Sequence, residues 1–159
     1  MQVNYIEAAS LPYIDIDPLE RCGLLFAGAN RAIEGKQIPS DIEDGILTAA
    51  EIATMDLSNT QLVVLSACST ALGDVTTEGV WGLQRAFKQA GAQTIVMTLW
   101  QVDDEATAVF MNYFYEELMR NTHSTIPNTH LALTRAQERM QQHPRFSKPY
   151  YWAAFVAID

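Results

Sequence analysis

Two uninterrupted apolar runs, Leu62-Val-Val-Leu-Ser-Ala67 and Thr94-Ile-Val-Met-Thr-Leu-Trp100, constrain the folding of this chain more than any other feature. Both are rich in β-formers and lack the polar alternation of a half-solvated strand, so each reads as a strand covered on both faces. Between them Val80, Leu83, Phe87 and Ala90 recur at helical spacing, and Gly91 follows as a C-terminal stop. Strand, helix and strand in that order form a right-handed crossover with parallel strands.

The alternation continues downstream. Asp103 is placed to cap a helix whose apolar face is Ala106, Val109, Phe110, Tyr113, Phe114 and Leu118, and Asp103, Asp104 and Glu105 put negative charge at its N-terminus. A third helix is expected after Pro127, carrying Leu133, Ala136 and Met140 to about Gln142. Pro144 and Pro149 end it before a final apolar strand over 150–158. Upstream, Thr48-Ala-Ala-Glu51 has capping-box spacing and predicts a short helix to about Met55. Gly23–Gly28 reads as a short buried strand, 30–45 as a polar excursion and 1–17 as an irregular segment. The expected class is α/β with a mostly parallel sheet.

Composition narrows the function classes. The 159 residues suffice for one domain with a core, and 48% hydrophobic with 18% charged residues is a globular balance. A net charge of −9 without a Lys/Arg cluster argues against nucleic acid. Such acidity suits basic partners or a basic peptide substrate, and is also common in soluble bacterial-type proteins. Two isolated cysteines, Cys22 and Cys68, with no C-x-x-C and no signal peptide, fit a reducing cytosol. No apolar stretch approaches the roughly 18 residues that span a bilayer, so no membrane association is expected.

Cys68 is the candidate for chemistry. It ends the first apolar run and enters a small-residue turn, Ser69-Thr70-Ala71-Leu72-Gly73-Asp74. Active sites in open α/β sheets lie at the carboxyl ends of strands, where Trp100–Asp104 also falls. A thiol there needs a base or positive potential, because an unperturbed cysteine is mostly protonated at neutral pH. Backbone N–H groups after the strand can hold a developing oxyanion. The competing reading is a buried small hydrophobe, which is also the expectation for Cys22. No histidine precedes Cys68; His123, His130 and His143 all follow it in polar helix-end or loop segments and read as surface. None has metal-ligand spacing, and Gly79 and Gly82 lie within a helical pattern rather than a phosphate loop, so neither metal nor cofactor is expected. Glu78 complements a helix dipole. Trp81, Trp100 and Trp152 read as core, Trp100 alone being placed to line a cleft.

Several ordered motifs carry a family resemblance. They include 44–53 (DGILTAAEIA), 56–70 (DLSNTQLVVLSACST), 78–87 (EGVWGLQRAF), Ala90-Gly-Ala92, 98–104 (TLWQVDD) and 150–155 (YYWAAF). Together they resemble the CHAT family of caspase-like domains from about Pro18 to the C-terminus. The resemblance implies a three-layer α/β/α fold, incomplete on its N-terminal side, and a place beside caspases, gingipains and separase, which cut peptides with a Cys–His dyad. It implies that Cys68 occupies the nucleophile position, and that Asp104 takes the role of the acid that recognises arginine in separase, with Trp100 beside it. A carboxylate there selects Arg or Lys by a charge-assisted contact. The His-Gly pair that supplies the base in the family has no counterpart before Pro18, and Thr70 is followed by Ala71 rather than glycine. The readings are an Arg/Lys-preferring cysteine endopeptidase that is inactive as this isolated chain, a non-catalytic binding or regulatory module, or one part of a longer protein in which helical repeats sense a partner.

Overall fold

The computed structural model describes Leu19 and residues 22–39, 42–65, 77–120 and 128–159, the side chains of 77–81 excepted. The chain divides into two units. One takes its described residues from Met1–Leu57 and Ser69–Gly91, the other from Ser58–Cys68 and Ala92–Asp159. Among the described residues no helix is long and apolar enough to cross a membrane.

The first unit contains β1 (Gly23–Leu25), α1 (Ala29–Ile33), β2 (Ile46–Thr48), α2 (Ala49–Ala53) and α3 (Thr77–Gln89). β1 and β2 pair antiparallel, Leu24 opposite Leu47. Gly45 enters β2 at φ +79°, and a Cβ there would lie 2.6 Å from the Ala29 nitrogen, so both backbone angle and space require glycine. The capping box forms as expected: the Glu51 N–H donates to Thr48 Oγ1 (3.2 Å) and the Thr48 N–H to Glu51 Oε2 (2.7 Å). α2 packs on α3, with Ile52, Leu83 and Ala86 buried, and Gly91 ends the α3 segment at φ +104°.

Cys22 is 1% exposed and lies against the α3 backbone at Gly82. Burial pushes its thiol pKa up, which favours the neutral, unreactive form. This agrees with the expectation of core packing.

The second unit contains β3 (Leu62–Leu65), β4 (Thr94–Thr98), α4 (Asp104–Arg120), α5 (Thr129–Gln141), a 3-10 turn (Pro149–Tyr151) and β5 (Phe155–Ile158). The sheet order is β3-β4-β5. β3 and β4 are parallel, Leu62 opposite Thr94 and Leu65 opposite Met97. β5 is antiparallel to β4, Thr98 opposite Phe155. Ile95, Val96 and Met97 are buried, as the continuous apolar run predicts.

The architecture is mixed α/β; among the described residues β3–β4 is parallel while β1–β2 and β4–β5 are antiparallel, so β5 departs from the expected parallel direction. The reason is the number of helices in the connection. A single helix returns the chain to the amino edge of the sheet and makes the next strand parallel. α4 and α5 form a helical hairpin: Glu117 near the end of α4 meets Arg139, and Glu105 at its start meets Arg145, just beyond α5. Two helices in series bring the chain back to the carboxyl edge, and the following strand must run the other way.

The strand expected over 150–158 is also shorter. Its first residues form the 3-10 turn, begun by Pro149, which has no N–H to give a ladder. α1 falls inside the stretch read as a polar excursion, and β2 was not anticipated. At five and three residues, neither fills a readable period.

The hairpin core is aromatic and aliphatic. Phe110 stacks on Phe155 with ring centroids 3.8 Å apart, and Phe114, Ala136 and Met140 are fully buried around them. Glu117 is only 4% exposed, and its carboxylate faces Arg120 (2.9 Å), Arg139 (3.3 Å) and Arg135 (3.6 Å). These guanidiniums, reaching it from both helices, hold the charge that burial would otherwise penalise.

Two stability measurements follow. Gly82→Ala gains roughly 1 kcal/mol of helix propensity but sets a Cβ 2.5 Å from the Cys22 Sγ. Overpacking typically costs about 1–3 kcal/mol, so a net loss is expected in denaturant unfolding, recovered by adding Cys22→Ala. Glu117→Gln is expected to lower stability by about 2 kcal/mol, in line with hydrogen bonds to charged groups. An unchanged midpoint would show that the arginine cage contributes nothing.

Candidate functional site

β4 leaves the sheet through Leu99, whose N–H still donates to the Ala154 carbonyl (2.9 Å). The next residues face solvent: Leu99 is 52% exposed and Trp100 38%. Trp100 is therefore partly exposed and does not join the core, the more usual place for a tryptophan in such a run. Its indole N–H donates to the Tyr150 carbonyl (3.0 Å), while the Tyr150 hydroxyl donates to the Gln101 carbonyl (2.8 Å). This reciprocal clasp joins the end of β4 to the 3-10 turn before β5. Tyr150 itself is 56% exposed. Its ring stands edge-on to Tyr151 (5.5 Å), and Tyr151 in turn meets the buried Phe146 (5.2 Å).

Asp103 caps α4 as expected, its Oδ1 accepting from the N–H groups of Glu105 and Ala106, each at 3.0 Å. Glu105 is taken by Arg145 in a bidentate contact at 2.6 and 2.9 Å. The hydrogen bond and charge of Glu105 raise the Arg145 pKa still further, so the guanidinium is permanently charged. Asp104 is exposed at the first position of α4, and its side chain makes no hydrogen bond or ion pair among the described residues. Three successive acids thus have three fates: cap, ion pair and solvent.

The other sequence candidates divide. Cys68 and His123 lie outside the described residues, as do the side chains of Glu78 and Trp81. β3 ends at Leu65, three residues before Cys68, at the edge where β4 runs on to Trp100. His130 lies at the opposite edge. Its Nε2 meets Asp159 Oδ2 (2.9 Å), and Asp159 Oδ1 accepts from the hydroxyl of Thr94, the first residue of β4. His143 lies at the carboxyl edge, half-buried, its ring stacked on Phe146. Its Nδ1 accepts the N–H groups of Arg145 and Phe146, both at 3.2 Å. Trp152 is half-buried against the hairpin core, with its indole N–H on the Ser147 carbonyl. Among the described residues no group of three or more His, Cys, Asp and Glu is placed to hold a metal. Tyr150 was not singled out in the sequence as a site residue; its aromatic neighbours there gave no sign that it, rather than Tyr151, would stay exposed.

The CHAT domain family model matches residues 9–159, and the chain belongs to that caspase-like family. Tetratricopeptide repeat protein 28 of Mus musculus is 37% identical over 113 residues, 71% of this chain and 4% of the mouse protein. Tetratricopeptide repeat protein 28 of Homo sapiens is 34% identical over 117 residues, 74% of this chain and 4% of the human protein. The chain spans about 4% of the length of these relatives. Both are mammalian, which gives no support to a bacterial-type reading of the acidity.

The cap and the solvent-facing acid separate by mutation. Asp103→Ala is expected to destabilise the protein by about 1 kcal/mol through loss of the cap. Asp104→Asn removes only a dipole interaction, with a loss of a few tenths of a kcal/mol. Thermal melts of the two variants check this order.

Proposed function

We propose that these 159 residues are a caspase-like module that recognises basic peptide segments at the carboxyl edge of β4 without cutting them. Asp104 supplies the carboxylate for an arginine or lysine, and Trp100 the adjoining wall. The reading includes the three-layer architecture of the family and a Cys68 in the nucleophile position.

The observation that carries the absence of cleavage is the disposition of the histidines. None precedes Cys68 in the sequence. His130 is bound to Asp159 at the far edge of the sheet, roughly 10 Å of strand away. His143 is on the appropriate edge, but two backbone N–H groups occupy its Nδ1. These backbone donors compete with a thiol for the Nδ1 acceptor. His123 lies outside the described residues and reads as surface from its sequence position; a thiol without a base loses a general-base contribution of about 10²–10⁴-fold.

The relatives are named for tetratricopeptide repeats, which supports a place for the module beside helical repeats in a longer polypeptide. There the repeats would sense a partner and the module would receive a peptide segment. A histidine supplied by such a polypeptide would convert the same edge into an endopeptidase site.

The 159-residue protein is expected to release no fluorophore from an arginyl reporter peptide above the level of its Cys68→Ala variant. Cleavage that disappears with Cys68→Ala would overturn the non-cutting reading and establish the peptidase.

A further inference from the structure

We propose that Tyr150 completes the recognition edge, forming with Trp100 an apolar ledge that selects peptides in which a large apolar residue flanks the basic one. This rests on the reading of Asp104 as the acid that meets the basic side chain.

Single exposed apolar residues are ordinary, but here Trp100 and Tyr150 are exposed together, with Leu99 adjoining in the chain. The two rings are also fixed. The indole N–H is bound to the Tyr150 carbonyl and the phenol O–H to the Gln101 carbonyl, so each polar tip is satisfied by backbone of the other's segment. What remains for a ligand is ring surface. Tyr151 meets Tyr150 edge-on and is itself packed on the buried Phe146. Rings pinned in this way give up little rotamer freedom when a ligand side chain settles on them, which is how a small apolar surface contributes affinity.

Charge sets what sits beside the ledge. Of the three acids that follow it, Asp103 is committed to the helix cap and Glu105 to Arg145, leaving Asp104 for an incoming cation. One basic and one large apolar side chain, in adjacent positions of an extended segment of another polypeptide, match this arrangement.

The test compares acetyl-Leu-Arg-Leu-amide with acetyl-Gly-Arg-Gly-amide by NMR titration of the full 159-residue protein. The leucine peptide is expected to bind about tenfold more tightly, as partial burial of a leucine side chain provides. Tyr150→Ala is expected to abolish that difference. Tyr150→Phe, which keeps the ring but loses the bond to Gln101, is expected to reduce it. Equal affinities, both weakened by Asp104→Asn, would overturn the ledge and leave the acid reading standing. A leucine preference that survives Tyr150→Ala would overturn it as well. Binding of neither peptide, or binding indifferent to Asp104→Asn, would overturn the acid reading and the ledge with it. The comparison of the two peptides on the unmodified protein needs no variant to fold.

Discussion

The second unit depends on β4 being hydrogen-bonded on both sides. Its buried N–H and C=O groups have no access to water, so each must find a partner in β3 or β5. That requirement fixes two registers at once. It sets Leu62 beside Thr94 at the amino edge, where Asp159 and His130 close the end of the sheet. It also carries the β4–β5 ladder to Leu99, where the chain turns outward into Trp100 and the acids. The two edges therefore differ in chemistry because one strand, paired twice, holds them apart.

The helical hairpin decides what meets the carboxyl edge. Because α4 and α5 together return the chain to where β4 ended, residues 143–151 arrive beside 99–105. The apolar core does most of this. Full burial of a phenylalanine is worth about 1.5–3 kcal/mol, and Phe110, Phe114 and Phe155 are all buried. The exposed pair Arg145–Glu105 belongs with surface ion pairs, whose median contribution is about 0–1 kcal/mol. Its effect is positional: it occupies Glu105 and sets the 3-10 turn against the start of α4.

Legibility in the sequence followed the length of each signal. The apolar runs were long enough to identify β3 and β4, and the caps at Thr48 and Asp103 rest on side chains within three residues of their targets. The direction of β5 was not legible, since nothing local in 150–158 records that two helices rather than one came before it. α1 and β2 were too short for a period to appear. The clasp between Trp100 and Tyr150 was hidden for a different reason: both side chains bond backbone carbonyls about fifty positions away, and no residue-type pattern marks a carbonyl as an acceptor. The role of Asp104 came from family resemblance; Cys68 was a candidate from its place at the end of the apolar run, the resemblance adding the nucleophile position, and it lies outside the described residues.

An exposed carboxylate is a weak discriminator by itself. A solvent-facing ion pair contributes about 0–1 kcal/mol and is screened by salt, so Asp104 alone would barely distinguish an arginyl peptide from the cell's other basic segments. Apolar contact has the complementary weakness: it adds affinity in proportion to area but has no charge preference. Side by side, the two terms select in different ways. The carboxylate disfavours acidic and neutral ligands at that position, and the pinned rings favour those with a bulky neighbour to the cation. On the proposed non-cutting reading, such differences in binding are what the site would use to choose its ligand.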